Sequence, residues 1–477
     1  MMSLRKLFSL ALLLLLLPAA RAQKIWTLEE CIDRALQNSI GIQQADLAVE
    51  RAVLGKKQAV QSVFPSLNAG VNAGVQFGRT IDPTTNTFNT QNIYYNSFSL
   101  QTGMPLFSGG SRHFAIQQSD LQIEAAKYEA AALEQDVAMS VATAYLNILL
   151  NYEQLAAAEK AVELARLQLQ QTEKLIAAGN LPANDRLEME AQLASAEQNR
   201  VLVQNALDQN YLQLRHLLLL PPEESLEIAR PDLPLPNEPE PIVFSDEAVF
   251  QTALQTQPRI QADDYLMKSA AKGTQIAKAR MYPSLSLFAQ MNTNWSSAAK
   301  EVIGTQTTFV PVEVRLPDGT TQTFEFSQDI PLFGDAAYWE QLDQNFGQGF
   351  GVSLQIPIYN ASSARIGIQQ ARLNEMDAWL RATQNRQNLQ TAVQTAVANA
   401  RSGREAYQAS ARALEAAEAS YENASKKFAL GAINAYELNS TKTRLDQARA
   451  EMLKAKYSYI FYLKLVDFYL GKPLTLN

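Results

Sequence analysis

Two very long stretches of the chain, 112–178 and 364–430, contain no proline and carry apolar residues at helical spacing. At 1.5 Å per residue, each stretch predicts a helix of roughly 100 Å, whereas the average helix has about 11 residues. Large residues recur at every seventh position of both stretches: Leu155, Val162, Leu169 and Ile176 in one, and Tyr407, Leu414, Tyr421 and Phe428 in the other. Small residues hold a second seam position: Ala158, Ala165 and Thr172, then Ser410, Ala417 and Ala424. This pattern predicts close coiled-coil packing against neighbouring helices.

Four shorter runs alternate between apolar and polar residues with the period of a β-strand. The residues predicted to share the apolar face are Leu67, Ala69, Val71, Ala73, Val75 and Phe77; Phe98, Leu100, Thr102, Met104 and Leu106; Leu285, Leu287, Ala289 and Met291; and Phe350, Val352, Leu354 and Ile356. A strand of about ten residues can cross a bilayer when tilted, but a soluble hairpin with one wet face would show the same alternation. Four strands cannot close a barrel or place free edges in lipid. The pattern therefore predicts either soluble strands or a barrel shared by several chains.

The same order of elements occurs twice. A leading helix is predicted at 27–63 and again at 246–281, and each is followed by a proline, in "VFPSL" and "MYPSL". The motifs "PLFSGGSR" and "PIYNASSAR" stand 252 positions apart, as do "AAGNLPAND" and "ALGAINAYE". Polar loops are predicted at 78–97 and 296–344. We therefore expect two tandem repeats, 23–220 and 246–477, joined by a proline-rich crossover at 221–245.

The N-terminus has the pattern of a cleaved secretory signal peptide. Arg5 and Lys6 precede an apolar run, and Ala20-Arg21-Ala22 provides a cleavage site, so residues 1–22 are predicted to be removed. The remaining sequence has no apolar run long enough for a membrane helix.

Composition narrows the possible functions. The net charge of −7 is spread along the chain, which does not suggest a nucleic-acid partner. One cysteine and two histidines give neither a disulfide nor a thiolate or imidazole metal cluster. The sequence also has no nucleotide-binding loop and no nucleophile constellation. We expect no cofactor, no metal and no enzymatic activity.

Two glycines interrupt the long helical patterns in the same way. Gly179 and Gly431 each precede an acidic residue, Asp185 or Glu437, by six positions. A glycine at a helix C-terminus and an acid in the following first turn are ordinary helix signals, and Asn434 with Glu437 also fits a capping box. The two acids therefore have a capping interpretation as well as the functional one given below.

Taken together, the tandem repeat and its paired motifs resemble the TolC family of trimeric outer-membrane channels of Gram-negative bacteria. The resemblance covers the whole chain after the signal. It implies an α+β membrane protein: a trimeric twelve-stranded outer-membrane β-barrel, with four strands per chain, continued by a long periplasmic α-helical coiled-coil barrel. The crossover at 221–245 and the C-terminal segment would lie in the equatorial region of the helical barrel.

The resemblance also implies roles for the glycine turns. Gly179 and Gly431 match the glycines of the periplasmic turns at which adaptor hairpins dock, and Leu181 and Ile433 are the expected exposed apolar contacts. Asn184, Asp185, Glu437 and Ser440 fall at the periplasmic aperture, where six carboxylates of a trimer would favour cations. Ser440 stands where the best-known members have a second aspartate.

The function that follows from the resemblance is an outer-membrane exit duct of a tripartite efflux or type I secretion system. It would passively conduct substrate from an inner-membrane pump and a periplasmic adaptor across the periplasm and the outer membrane. The expected partners are two further copies of the chain, the adaptor, the pump and outer-membrane lipid. The alternative is a non-conducting periplasmic coiled-coil scaffold or adaptor, although the paired alternating strands favour the duct. The cargo is not predicted.

Overall fold

A computed structural model describes residues 25–81, 86–90, 92–231, 245–317 and 319–475. The predicted signal peptide lies outside these residues, and so does most of the predicted crossover, of which 221–231 and 245 are described. The chain divides into two compact units. Of the described residues, the first unit comprises those within 25–53, 120–269 and 376–475, and the second comprises those within 54–119 and 270–375.

The described helices and strands are as follows, in chain order: β1 Ile25–Trp26, α1 Leu28–Asn38, α2 Ile40–Gln61, β2 Ser66–Gln76, β3 Arg79–Ile81, β4 Phe88–Thr90, β5 Ile93–Ser108, α3 Ser111–Ala177, α4 Asn184–Leu218, β6 Glu227–Ile228, α5 Asp246–Thr256, α6 Pro258–Ala279, β7 Ser284–Ser296, β8 Lys300–Arg315, β9 Thr321–Asp335, α7 Tyr338–Gln344, β10 Gly347–Gln355, α8 Ser363–Ala429 and α9 Ala435–Tyr469. Both predicted long helices are confirmed to within one residue, and each has 67 residues. None of the described helices is both long enough and apolar enough to cross a membrane.

The two leading helices were each predicted as one continuous element, and this was wrong. The first is broken at Ser39, whose ψ of 121° lies outside the helical region, and the second at Gln257, which is extended. Gln257 precedes Pro258, and a residue before proline is disfavoured in the helical region. Proline itself is well suited to the first position of the helix that follows.

The first unit is built from the two halves of the chain in the same way. Buried positions of α3 recur 252 residues later in α8: Val141 and Val393, Ala144 and Ala396, Tyr145 and Val397, Ile148 and Ala400. The predicted seam is buried at Leu155, Ala158, Val162, Ala165 and Thr172 of α3, and at Tyr407, Ala424 and Phe428 of α8. These eight residues lie in the core, as predicted. The other six predicted seam residues are half-buried: Leu169, Ile176, Ser410, Leu414, Ala417 and Tyr421.

An ion pair links each long helix to the helix that follows it. Arg166 of α3 lies 3.4 Å from Glu197 of α4, and Arg449 of α9 lies 2.8 Å from Glu418 of α8. The two pairs stand at equivalent positions, 252 residues apart, with their charges exchanged. Opposite charge, rather than a particular residue, is therefore what the two sites share.

In the second unit, a four-stranded antiparallel sheet has the order β10-β7-β5-β2. Its register places Ala69 opposite Leu100, Leu100 opposite Met291, and Ala289 opposite Phe350. Because opposed residues share a face in an antiparallel pair, the predicted apolar face is confirmed along most of its length.

Two details of the strand prediction were wrong. A bulge in β5 lies between Pro105 and Phe107, so that Phe107, rather than Leu106, stands opposite Leu285. A bulge inserts one residue and reverses the alternation beyond it. In addition, Ile356 lies outside β10, which ends at Gln355.

The segments predicted as polar loops contain regular structure. The first, at 78–97, holds β3 and β4, which pair with each other, as well as the beginning of β5. The second, at 296–344, contains a long two-stranded ribbon, β8 with β9, followed by α7.

Candidate functional site

The helices α3 and α8 end in the same backbone motif. In the first turn, residues 178–183, the Gly179 amide donates to the Ile176 carbonyl and the Asn180 amide to the Leu175 carbonyl, each at 2.9 Å. In the second turn, residues 430–434, the equivalent bonds run from Gly431 to Phe428 and from Ala432 to Lys427, also at 2.9 Å. This is the Schellman arrangement, which satisfies the last carbonyls of a helix and needs a left-handed residue at the glycine position.

Both glycines adopt that left-handed conformation. The φ angle is +77° at Gly179 and +71° at Gly431. At either position, no described atom lies within 4 Å of the point that a Cβ would occupy. The glycines are therefore required by backbone conformation and not by lack of space.

The two turns lie side by side in the first unit. Met189 of α4, Phe428 of α8 and Leu438 of α9 share one buried cluster, and Leu181 and Ile433 pack against it. The expectation that Leu181 and Ile433 are exposed was wrong, because both are half-buried. Their side chains hold the two turns together.

Two other apolar residues are the exposed ones at the second turn. Leu430 is 85% exposed and Tyr436 is 72% exposed. The sequence prediction included neither residue, although the seven-residue pattern indicates which way Leu430 points. Tyr421 and Phe428 lie on the seam that faces neighbouring helices, and Leu430, two residues further on, points away from that seam.

The predicted aperture residues occupy the starts of α4 and α9. Asn184 is exposed as the first residue of α4, and Asp185 is half-buried. The Asp185 Oδ2 atom is inaccessible and has no hydrogen-bond partner among the described residues. The Glu437 side chain is exposed, and Ser440 is half-buried.

The structure shows one of the two hydrogen bonds of the predicted capping box at α9, and at α4 it places Asp185 in the first helical turn without a side-chain cap. Asn434 Oδ1 accepts a hydrogen bond from the Glu437 amide at 2.9 Å, which makes Asn434 the N-cap of α9. At α4 the N-cap position is held by Ala183, which makes no side-chain capping bond. Arg186 pairs with Glu190 at 3.3 Å.

A further acid near the turns was missed. Glu188 Oε1 accepts a hydrogen bond from Asn439 Nδ2 at 2.8 Å, which connects α4 with α9. Glu188 stands 252 positions before Ser440, so the repeat itself places an acid in the first half at the position where the second half has serine. The 252-residue spacing could therefore have identified Glu188 from the sequence alone.

Charges at the turns follow the helix dipoles. Asp185 and Glu437 lie in first helical turns, while Lys174, Lys426 and Lys427 lie in last turns. Each sign is favourable at its own helix end.

Deeper in the same helical layer lies a buried polar cluster. The Lys442 side chain is almost fully buried and pairs with Asp446 on the same helix. Gln168 donates to the Tyr421 hydroxyl at 2.5 Å. Burial raises the pKa of Tyr421, and the nearby Asp446 carboxylate raises it further. In the part of the chain that the structure describes, no group of histidine, cysteine, aspartate and glutamate side chains is arranged to hold a metal ion.

Comparisons with known proteins fit these features. The chain matches the family model of the outer membrane efflux protein over residues 31–218 and 249–471. The pyoverdine export outer membrane protein OpmQ of Pseudomonas aeruginosa is 24% identical over 275 residues. That match spans 57% of this chain and 57% of OpmQ, little more than half of either protein.

Three solved structures have a similar fold. CusC gives a TM-score of 0.75 at 18% identity, covering 94% of this chain and 92% of CusC. The outer membrane protein VceC of Vibrio cholerae gives 0.74 at 17% identity, with coverage of 94% and 96%. The outer-membrane channel OprN gives 0.73 at 17% identity, with coverage of 94% and 90%. As the TolC-like motifs predicted, the chain belongs to the outer membrane efflux protein family.

Proposed function

We propose that the protein is the outer-membrane exit duct of a tripartite efflux or type I secretion system. It receives substrate from an inner-membrane pump through a periplasmic adaptor and conducts it passively out of the cell. The observation that carries the proposal is the family match, which extends over both halves of the chain. The name of OpmQ, a pyoverdine export outer membrane protein, is consistent with export.

The duct requires three copies of the chain. The outer strands of the described sheet are β10 and β2, and an unpaired strand edge in lipid leaves backbone groups unsatisfied at several kcal/mol each. Joining β10 of one copy to β2 of the next, three times, closes a twelve-stranded barrel. The helices then form the periplasmic part of the duct.

We assign the segments of the chain accordingly. Residues 1–22 are removed on export, 23–220 and 246–477 are the two repeats, and 221–245 forms the crossover in the equatorial region. The equivalent buried residues and ion pairs of α3 and α8 support a shared plan for the repeats.

Chemical crosslinking in isolated outer membranes tests this assembly. The expected result is a ladder that ends at the trimer. Monomers and dimers alone, or recovery of the protein in the soluble periplasmic fraction, would contradict the proposal.

The adaptor is proposed to dock at the two turns. Gly179 and Gly431 set their backbone, and the packing of Leu181 and Ile433 keeps them adjacent. Leu430 and Tyr436 add exposed apolar surface, which is typical of interaction sites. Replacing Leu430 and Tyr436 with serine is expected to abolish export and adaptor crosslinking while leaving the trimer intact. Matched replacement of the exposed Leu212 and Leu202 on α4 should have no effect on export.

Asp185, Glu437, Asn184 and Ser440 are proposed to line the closed aperture. A carboxylate affects permeating ions at short range, because charges are screened beyond ~8 Å at physiological salt. Changing Asp185 and Glu437 to alanine is expected to reduce the cation preference of single channels. The control is the removal of two exposed acids elsewhere on the helices, Glu159 and Glu451. Unchanged selectivity in the Asp185 and Glu437 variant would leave the acids with a role at helix ends only.

A further inference from the structure

An unusually long ribbon interrupts the second half of the sheet. Between β7 and β10 the chain forms β8 and β9, which pair continuously from Lys300 opposite Asp335 to Arg315 opposite Thr321, apart from one bulge after Val302. At 3.3 Å per residue, a strand of 16 residues extends roughly 50 Å.

The root of the ribbon is held by a network of hydrogen bonds. The Ser297 amide donates to the Tyr94 carbonyl at 2.8 Å, and the Tyr94 amide donates to Ser297 Oγ at 2.9 Å. Gln341 of α7 accepts from the Ser296 amide at 3.0 Å and donates to the Ala336 carbonyl at 2.9 Å. The ribbon therefore leaves the sheet in a defined direction.

Beyond the bulge the two faces of the ribbon differ in charge. One, the uncharged face, consists of six opposed pairs: Gly304 and Leu332, Gln306 and Ile330, Thr308 and Gln328, Val310 and Phe326, Val312 and Phe324, Val314 and Gln322. The opposite face, the charged face, carries Glu313, Arg315, Glu325 and Asp329. Alternation with period two produces this separation.

Most of the uncharged face is exposed, although Gly304, Thr308 and Val310 of β8 are half-buried. Phe326 is 55% exposed, and Ile330, Leu332, Phe324, Val312 and Val314 are also exposed. An isolated two-stranded hairpin is marginally stable in water, and an extended apolar patch marks an interaction surface. The composition of this face calls for a partner surface that is also apolar and uncharged.

We propose that the uncharged face packs against the same face of the other two copies of this chain. The inference rests on the trimer of the proposed function. The ribbon starts from β7, and in the proposed trimer only the outer strand β10 separates β7 from the next copy. Identical charged faces, each with three acids and one arginine, would repel one another, whereas identical uncharged faces meet without charge conflict. Tethering in one trimer raises the effective concentration of the ribbons.

Single cysteines on the two faces test the inference. Val312→Cys and Phe324→Cys place a thiol on the uncharged face, and Glu313→Cys and Thr323→Cys place one on the neighbouring positions of the charged face. Because Cys31 is buried, mild oxidation of purified trimer reports only the introduced thiol. Both uncharged-face variants are expected to form disulfide-linked dimers between copies, and the charged-face variants are expected to form none.

Lysine crosslinking of the same samples separates the two proposals. If no trimer is found, the result contradicts the proposed function, and with it the ribbon inference that rests on the trimer. If the trimer is intact but the uncharged-face cysteines stay reduced, or if both faces crosslink equally, the ribbon inference is overturned. Labelling of the uncharged-face cysteines by a lipid-borne thiol probe, without disulfide formation, would show that lipid covers this face and would overturn it as well.

Discussion

Replacing the glycine of either turn with alanine should destabilise the protein. Gly179→Ala and Gly431→Ala each add one methyl group at a left-handed position, with φ of +77° and +71°. Since no described atom lies within 4 Å of the new Cβ, the substitution creates no collision with the described residues. Its cost is the backbone strain of an alanine in that conformation, about 1–2 kcal/mol for each site.

A matched control, Gly55→Ala, should have the opposite effect on stability. Gly55, within α2, also has no described atom within 4 Å of its Cβ position, but its backbone is helical. Replacing it with alanine should stabilise the protein by ~0.5–1 kcal/mol, because glycine costs more conformational entropy on folding. Gly179→Asn should cost less than Gly179→Ala, since asparagine tolerates the left-handed region.

The assay is urea unfolding of the purified protein in detergent, followed by helical circular dichroism, together with hydrogen exchange of the Asn180 and Ala432 amides. The alanine variants at the turns should unfold at lower urea with an unchanged slope, and those two amides should exchange faster. Equal midpoints for Gly179→Ala and Gly55→Ala, with unchanged exchange, would refute the left-handed requirement.

Three further predictions concern the helical layer. Asp446→Ala should destabilise the protein, because it leaves the buried Lys442 ammonium without its carboxylate, but by less than the about 3–5 kcal/mol of a fully buried pair, since the Asp446 side chain is 35% exposed. Lys442→Met should be nearly neutral in the same unfolding assay. Exchanging the charges of Glu418 and Arg449 should restore most of the stability that either single reversal removes, with a coupling of about 0.2–1 kcal/mol in a double-mutant cycle. Tyr145→Phe should cost ~1 kcal/mol, since the hydroxyl donates to a backbone carbonyl at 2.7 Å. Burial raises the pKa of Tyr145 above its usual value of 10, so its contribution to stability should be complete below pH 10 and be lost above it. Stability should therefore fall less steeply above pH 10 in the Phe variant than in the wild type, in which Tyr421 and other half-buried tyrosines with raised pKa values also contribute to the fall.

The long helices were predictable because their signals are local and strong. A stretch without proline, bounded by "SGGSR" or "NASSAR" at one end and a glycine at the other, determines both ends of α3 and α8. The strand faces were predictable as far as the bulge in β5. Pro105 was the available signal for it, because proline inside an inner strand is typical of a bulge.

The ribbon was missed for a physical reason. Pro311 and Pro331 lie inside β8 and β9, and proline inside a run argues against a central strand. In a two-stranded ribbon both strands are edges, so a proline whose nitrogen faces outward removes no ladder bond. The composition of the two linking segments, rich in threonine, asparagine, aspartate and glycine, favoured the interpretation as loops.

The parts of the candidate site that depend on backbone conformation were predictable from the sequence. Gly179 and Gly431 are identifiable because few residues other than glycine suit a left-handed helix end. The burial of Leu181 and Ile433 was not predictable, because it depends on the two turns lying side by side, a contact between residues about 250 positions apart. The same contact joins Glu188 to Asn439.

The most direct test of the exit duct is a planar bilayer recording of the purified wild-type protein, after crosslinking has established its oligomeric state. We expect unitary currents that prefer cations over anions, with low open probability when adaptor and pump are absent. A correctly assembled trimer that inserts into the bilayer and passes no unitary current at any applied voltage would contradict the duct and favour a non-conducting scaffold.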